Sequence, residues 1–186
     1  MKRRHWLLGG VGAAAGVLGA SLAWRQQSIG FNPSALDGEG DQVGVATMDA
    51  LWAARFTQPD GGELRMADLR GKPLLINFWA TWCPPCVKEM PDLDRFYQAF
   101  VPKGWQVLGL AVDDPKPVRE FLQKVPVRFP IGLAGLEGTK LSRALGNTQG
   151  GLPFSVVMGR AGKPLWRRLG STNYDELVAN AAEWAR

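Results

Sequence analysis

The sequence predicts an α/β domain whose central mixed β-sheet is covered by helices on both faces, with a β-hairpin at its N-terminal end. Three observations predict it. Short apolar runs bounded by turn residues, at 74–78, 105–112 and 154–158, read as buried strands. Between them lie segments with helical spacing: Leu93, Phe96, Tyr97 and Phe100, then Val118, Phe121, Leu122 and Val125. A turn of the Gly159-Arg160-Ala161-Gly162 kind joins the last two strands and adds antiparallel pairing.

The chain has 186 residues, enough for one domain with a full core plus appendages. Residues 1–25 read as a membrane-targeting segment. Lys2, Arg3 and Arg4 precede an uncharged run from Trp6 to Trp24. As a helix at 1.5 Å per residue that run is about 28 Å long, close to the roughly 30 Å of a bilayer core. The positive end faces the cytoplasm, so the remainder lies outside it. Trp6 and Trp24 read as interfacial anchors of a retained helix. The competing reading is cleavage at Ser21-Leu22-Ala23, a small-x-small site. Residues 26–43, with Gly30, Pro33, Gly38 and Gly40, form a linker. The folded domain is 44–186.

Within the domain, 51–56 is expected as a strand that turns at Pro59-Asp60-Gly61-Gly62 and pairs back through 63–66. A loop at 68–73 leads into the strand 74–78. A helix follows from Cys83, runs through Pro91 with a kink, and stops at Gly104. Strand 105–112 ends at Asp113-Asp114-Pro115. A helix around 118–125, a short strand 129–133 and a short helix 140–145 come next. After Gly150-Gly151-Leu152-Pro153 the strands 154–158 and 164–169 close the sheet. Asn173 and Glu176 have capping-box spacing ahead of a final helix.

Composition removes several function classes. Hydrophobic content of 46% and charged content of 21% are those of an ordinary globular chain. Of the net charge of +5, three charges belong to the leader, and no basic patch interleaves with aromatics, so no nucleic-acid partner is expected. The one histidine, His5, lies in the leader. A Ser-His-Asp triad is thereby excluded, and two cysteines alone supply half of a zinc site, so no metal or cofactor is expected.

Both cysteines, Cys83 and Cys86, stand two residues apart where a strand passes into a helix. A disulfide ring this small constrains little chain entropy, so it is a weak staple. At a helix N-terminus, free N–H groups and the helix dipole favour a thiolate. Cys83 is therefore assigned as the attacking thiol and the more enclosed Cys86 as the resolving one. Pro84 and Pro85 preset φ but carry no N–H. With two potential donors missing, the Cys83 thiolate is less stabilised, which makes the pair a weaker oxidant and favours reduction. Glu89, three residues past Cys86, can share its helix face and is a candidate proton relay. Trp82, directly before Cys83, is expected to cover part of the pair.

The string Phe78-Trp79-Ala80-Thr81-Trp82-Cys83-Pro84-Pro85-Cys86 resembles the active site of the thioredoxin superfamily. Its continuation Val87-Lys88-Glu89-Met90-Pro91, the preceding Gly71-Lys72-Pro73-Leu74-Leu75-Ile76-Asn77 and the leader are similar to the membrane-tethered TlpA/ResA/CcmG branch. The resemblance spans roughly 56–186. It implies a thioredoxin-like fold with a central α–β insertion at about 114–145. It also implies that Leu152-Pro153 carries the cis-proline that lies against the cysteines and, with Trp82, Pro84 and Pro85, contacts substrate. Glu89 matches the acidic residue of the ResA-like branch, and Asn77 replaces the buried aspartate of thioredoxin. The implied activity is that of a protein-disulfide reductase on the periplasmic side of the bacterial inner membrane, anchored there, or free in the periplasm if the leader is cleaved. Its implied partners are disulfide-containing envelope proteins, apocytochrome c among them, and a thiol transporter of the DsbD/CcdA type as electron donor. The protein is expected to be a monomer. A disulfide-forming oxidase on the same fold and a copper-binding thiol module are the alternatives. A thiol peroxidase would need threonine where the chain has Ala80.

Overall fold

The structure, a computed structural model, describes residues 44–185. Its centre is the strand β3 (Leu74–Trp79), every residue of which is buried. Alternation along that strand decides the two faces. Leu75 and Trp79 point into one core, whereas Leu74, Ile76 and Phe78 point into the other.

Twelve elements build these layers, numbered here in chain order. They are α1 (Val45–Ala53), β1 (Arg55–Thr57), β2 (Glu63–Arg65), β3, α2 (Pro84–Phe100) and β4 (Gln106–Ala111). They continue with α3 (Pro115–Lys124), β5 (Ile131–Leu133), α4 (Gly135–Ala144), β6 (Phe154–Met158), β7 (Pro164–Leu169) and α5 (Tyr174–Trp184). A single mixed sheet runs β2-β1-β5-β4-β3-β6-β7. Strand β3 pairs parallel with β4, Leu74 opposite Gln106, and antiparallel with β6, Leu74 opposite Met158. The face that buries Trp79 is covered by α2, α3 and α5, and the other by α1 and α4. This is the expected α/β architecture of a thioredoxin-like fold, with the hairpin β1–β2 at its start and α3, β5 and α4 in the inserted span.

Two local expectations are corrected. Residues 51–53 close the helix α1 instead of opening a strand, and β1 begins only at Arg55. The apolar residues of α1 do not form one sharp stripe, so periodicity does not reveal it. Tertiary packing holds the helix, since Leu51 and Trp52 are buried and the Trp52 indole donates to the Gly162 carbonyl at 3.3 Å. In addition, the loop ahead of β3 contains a short 3-10 turn at Met66–Leu69, anchored by the buried Met66. The leader 1–25 and the linker 26–43 lie outside the described residues. Among the described residues, no helix is long and apolar enough to cross a membrane.

The core leaves no spare volume beside Trp79. A Cβ added at Gly109 on β4 would stand 2.6 Å from Ile131 Cδ1 and 3.1 Å from Trp79 Nε1. Overpacking of this kind costs about 1–3 kcal/mol. Gly109→Ala is therefore expected to lower the urea midpoint with an unchanged m-value, and an unaltered midpoint would show that the layer has slack.

Candidate active site

The cysteine pair sits where β3 gives way to α2. Cys83 is the N-cap residue of α2, with extended backbone (φ −101°, ψ 100°). Its sulfur accepts the Cys86 backbone N–H at 3.3 Å. Pro84 and Pro85 occupy the first helical positions and bring no N–H, so Cys86 is the donor that this first turn offers the Cys83 sulfur. The two cysteines form a disulfide. Cys83 is 4% exposed and Cys86 0%, so the first is the more accessible sulfur.

The loop ahead of the helix is pinned from β4's end. Asp113 Oδ2 accepts from the Thr81 N–H at 2.9 Å and from the Thr81 hydroxyl at 2.6 Å. Such a doubly bonded carboxylate holds the approach to Cys83 in one geometry. Asp113 could not be assigned from sequence, because nothing local links it to Thr81 32 residues away.

Glu89 lies on α2, three positions beyond Cys86, and is 2% exposed. Asn77 Nδ2 on β3 donates to Glu89 Oε1 at 2.7 Å. The Thr172 backbone N–H donates to Oε2 at 2.8 Å. Asn77 Nδ2 also reaches Ser155 Oγ on β6 at 3.1 Å. Burial pushes the Glu89 carboxyl up to about 7, against the lowering effect of these two hydrogen bonds, and the nearby Asp92 charge adds to the rise. A carboxyl with such a value is close to half-protonated at neutral pH and can both give and take a proton. Asn77, Ser155 and Thr172 are contributed by three separate strands and loops, and only Asn77 stands out in the sequence.

The segment between β7 and α5 binds the site's pieces together. Gly170 N–H donates to the Pro153 carbonyl at 2.9 Å, and the Ser171 hydroxyl to the Pro85 carbonyl at 3.4 Å. Thr172 then reaches Glu89. The Leu152–Pro153 bond is cis. Leu152 packs against the cluster that contains Cys83 and Cys86. Trp82, directly before Cys83, is 67% exposed. It lines a groove of about 480 Å³ together with Leu152, Gly151 and Leu136. Leu136, on α4, is 84% exposed and was not singled out by the sequence, where one leucine in a polar stretch carries no signal. Thus Trp82, Cys83, Pro84, Pro85, Cys86 and Glu89 come together on one strand-to-helix junction. Leu152 joins them through the groove, and Pro153 accepts from Gly170, next to the Ser171 that reaches Pro85 and the Thr172 that reaches Glu89.

Comparison with known proteins agrees with this geometry. The Redoxin family profile matches residues 41–182. The thiol-disulfide oxidoreductase ResA of Bacillus cereus is 31% identical over 122 residues, which is 65% of this chain and 68% of that protein. Among solved structures, the thiol:disulfide interchange protein of the thioredoxin family from Chlorobium tepidum TLS superposes with a TM-score of 0.63 at 26% identity. The match covers 71% of this chain and 92% of that one. A secreted Mycobacterium tuberculosis disulfide oxidoreductase shares the fold, with a TM-score of 0.60 at 24% identity over 73% of this chain and 98% of that one.

Proposed function

The chain belongs to the Redoxin family, within the thioredoxin-fold thiol–disulfide oxidoreductases, and on that premise we propose that it reduces disulfides of extracytoplasmic client proteins through Cys83 and Cys86. The relatives support thiol–disulfide exchange as the reaction class. The observation that carries the direction is the first turn of α2. There the Cys83 sulfur receives the N–H of Cys86 alone, because Pro84 and Pro85 have none to give.

In the reduced enzyme the Cys83 thiolate attacks one sulfur of the client disulfide, forming a mixed disulfide and expelling the other client sulfur as a thiolate, which takes up a proton. Cys86 then loses its proton and attacks Cys83 Sγ. The mixed disulfide breaks, the second client sulfur leaves, and the Cys83–Cys86 disulfide forms. Two electrons have passed from the dithiol to the client. The ionised Glu89 accepts the Cys86 proton, which a carboxyl of near-neutral pKa is suited to do. A second dithiol must restore the pair, and a membrane thiol transporter of the DsbD/CcdA type is the proposed donor. On this reading the leader holds the domain at the outer face of the inner membrane. Apocytochrome c is the client that the resemblance raises first.

An equilibrium redox titration tests the direction. The expected potential lies nearer the −270 mV or so of a thioredoxin than the −120 mV or so of a strong oxidase, and a value at the oxidising end would overturn the reductase reading.

The groove beside Trp82 is the proposed seat of the client chain. Trp82→Ala and Leu136→Ser should each raise KM for a disulfide-containing protein about tenfold, the loss expected when an exposed apolar contact of about 1.4 kcal/mol is removed. The rate with a small linear disulfide such as bis(2-hydroxyethyl) disulfide should stay unchanged, because that substrate does not fill the groove. Equal losses on both substrates would place Trp82 in the chemistry instead.

A further inference from the structure

The strand pairing gathers a second feature at the end of the sheet farthest from the disulfide. Gln106, Leu74, Met158 and Pro164 stand side by side on β4, β3, β6 and β7. The residues that flank this row therefore share one end of the domain. They are Arg70 and Lys72 before β3, Lys103 before β4, Arg160 after β6 and Lys163 before β7. All five are exposed. None has a carboxylate partner among the described residues. Direct contacts confirm the grouping. The Gln106 N–H donates to the Pro73 carbonyl at 2.9 Å, and a Cβ at Gly104 would stand 3.9 Å from Arg160 Nη2.

Two of these cations have a local reason to be there. Lys103 follows the C-terminus of α2, and Arg160 donates to the Ala185 carbonyl at the end of α5, both positions where a helix dipole favours positive charge. Lys72 and Lys163 answer no such need, and Arg70 has only the Trp52 ring, 6.0 Å away. The acidic groups near this end are Asp68, two residues before Arg70 and paired with Arg65, Glu183 on α5 and Asp49 on α1, all exposed.

The opposite end carries charges of both signs. Around the groove beside Trp82 stand Asp113, Asp114 and Glu137, with Arg119, with Lys140 paired to Glu137, and with Arg143 beside Gly150. The two ends are separated by the length of β3, about 20 Å for six residues. Positive charge therefore lacks paired carboxylates at the end away from the cysteines, whereas near them cations and carboxylates are mixed.

We propose that the basic end formed by Arg70, Lys72, Lys103, Arg160 and Lys163 rests on an anionic phospholipid surface and so turns the disulfide groove outward, away from the membrane. This rests on the reading that the leader keeps the chain at the membrane. On that reading 18 residues, 26–43, separate the leader from the domain, and covalent geometry limits their reach to at most about 65 Å, so the domain can touch the bilayer. Anionic headgroups attract each Lys or Arg near the surface, and the attraction decays over a Debye length of about 8–10 Å. A tethered domain with this basic end thus has one favoured orientation, with its substrate groove open to proteins diffusing in the aqueous compartment.

Hydrogen exchange on the full chain in lipid nanodiscs tests this. With about 30% phosphatidylglycerol at low salt, amides of 70–72, 103–105 and 159–163 should exchange severalfold more slowly than in pure phosphatidylcholine. Exchange at 81–83 should be the same in both. The protection should vanish at about 1 M salt, where the Debye length is about 3 Å, and in Lys72→Glu/Lys103→Glu/Lys163→Glu. Equal exchange in the two lipids, or protection reproduced by free glycerol phosphate, would overturn the proposal. Vesicle flotation separates it from the anchor. A chain that floats with both lipids at high salt but shows no lipid-dependent protection keeps the anchor and loses the basic end. A chain that floats only with anionic vesicles at low salt loses the anchor and keeps the basic end.

Discussion

Cys83→Ser is expected to abolish disulfide reduction, with a fall of at least about 10³-fold in rate on any disulfide substrate. Oxygen in place of sulfur at this position has no thiolate to form at neutral pH, and loss of a nucleophile removes the whole covalent route rather than part of it. Cys86→Ser should behave differently. Attack by Cys83 remains possible, because the N-cap geometry that presents its sulfur involves the Cys86 backbone N–H and not its thiol. Resolution is lost, so the mixed disulfide persists. In cells this variant should hold clients covalently on Cys83, visible as reducible high-mass species on non-reducing gels and identifiable by mass spectrometry. Detection of apocytochrome c among them would establish that client. Client trapping by Cys83→Ser, in which Cys86 is the one thiol left, at the level seen with Cys86→Ser would refute the assignment of Cys83 as the attacking thiol.

Glu89→Gln is the second variant with a large expected effect, and its stability and its activity should move in opposite directions. Burial raises the Glu89 pKa from 4.5 to about 7. Between these values the folded chain keeps a proton that the unfolded chain releases. The stabilisation from a neutral Glu89 is therefore fully present below about pH 4.5 and is lost as pH rises through 7. The shift corresponds to about 3 kcal/mol. Glutamine stays neutral throughout, so the variant should match the parent at about pH 4, exceed it by up to that amount at about pH 8, and show a flatter stability profile over the interval. Denaturant titrations of the oxidised protein at several pH values measure this directly. Client reduction should meanwhile fall about 10²-fold, the usual scale for a lost proton-transfer group, and its pH profile should lose the limb near 7. An unchanged pH–rate profile would remove Glu89 from proton transfer and leave it a structural group.

The parts of the fold and site that were legible in the sequence are those whose causes are local. β3 reads as a strand because the apolar run 74–78 lies between turn signals, and the structure extends it by one residue to Trp79. The α2 start is legible because Cys83 can cap it and the two prolines fit its first turn. The final helix is legible from Asn173 and Glu176, and the Asn173 side chain indeed accepts the Glu176 N–H at 3.0 Å. By contrast α1 escaped, because its burial depends on Gly162, far along the chain, and its own residues show no clear stripe.

The same division runs through the cysteine site. By itself the sequence determined that two thiols stand at a strand-to-helix junction, that no histidine of the domain can assist them, and that two prolines strip N–H donors from the first turn. These follow from covalent order, since neighbours within one turn are placed by the backbone alone. Only the tertiary structure decided how the site is completed. It set Glu89 between Asn77 and Thr172, tied Asp113 to Thr81, brought Leu136 across from Trp82, and gathered five cations at one end of the sheet. Each of these joins residues that lie many positions apart, and a burial-shifted carboxyl or a shared groove exists only after packing has removed water from between them.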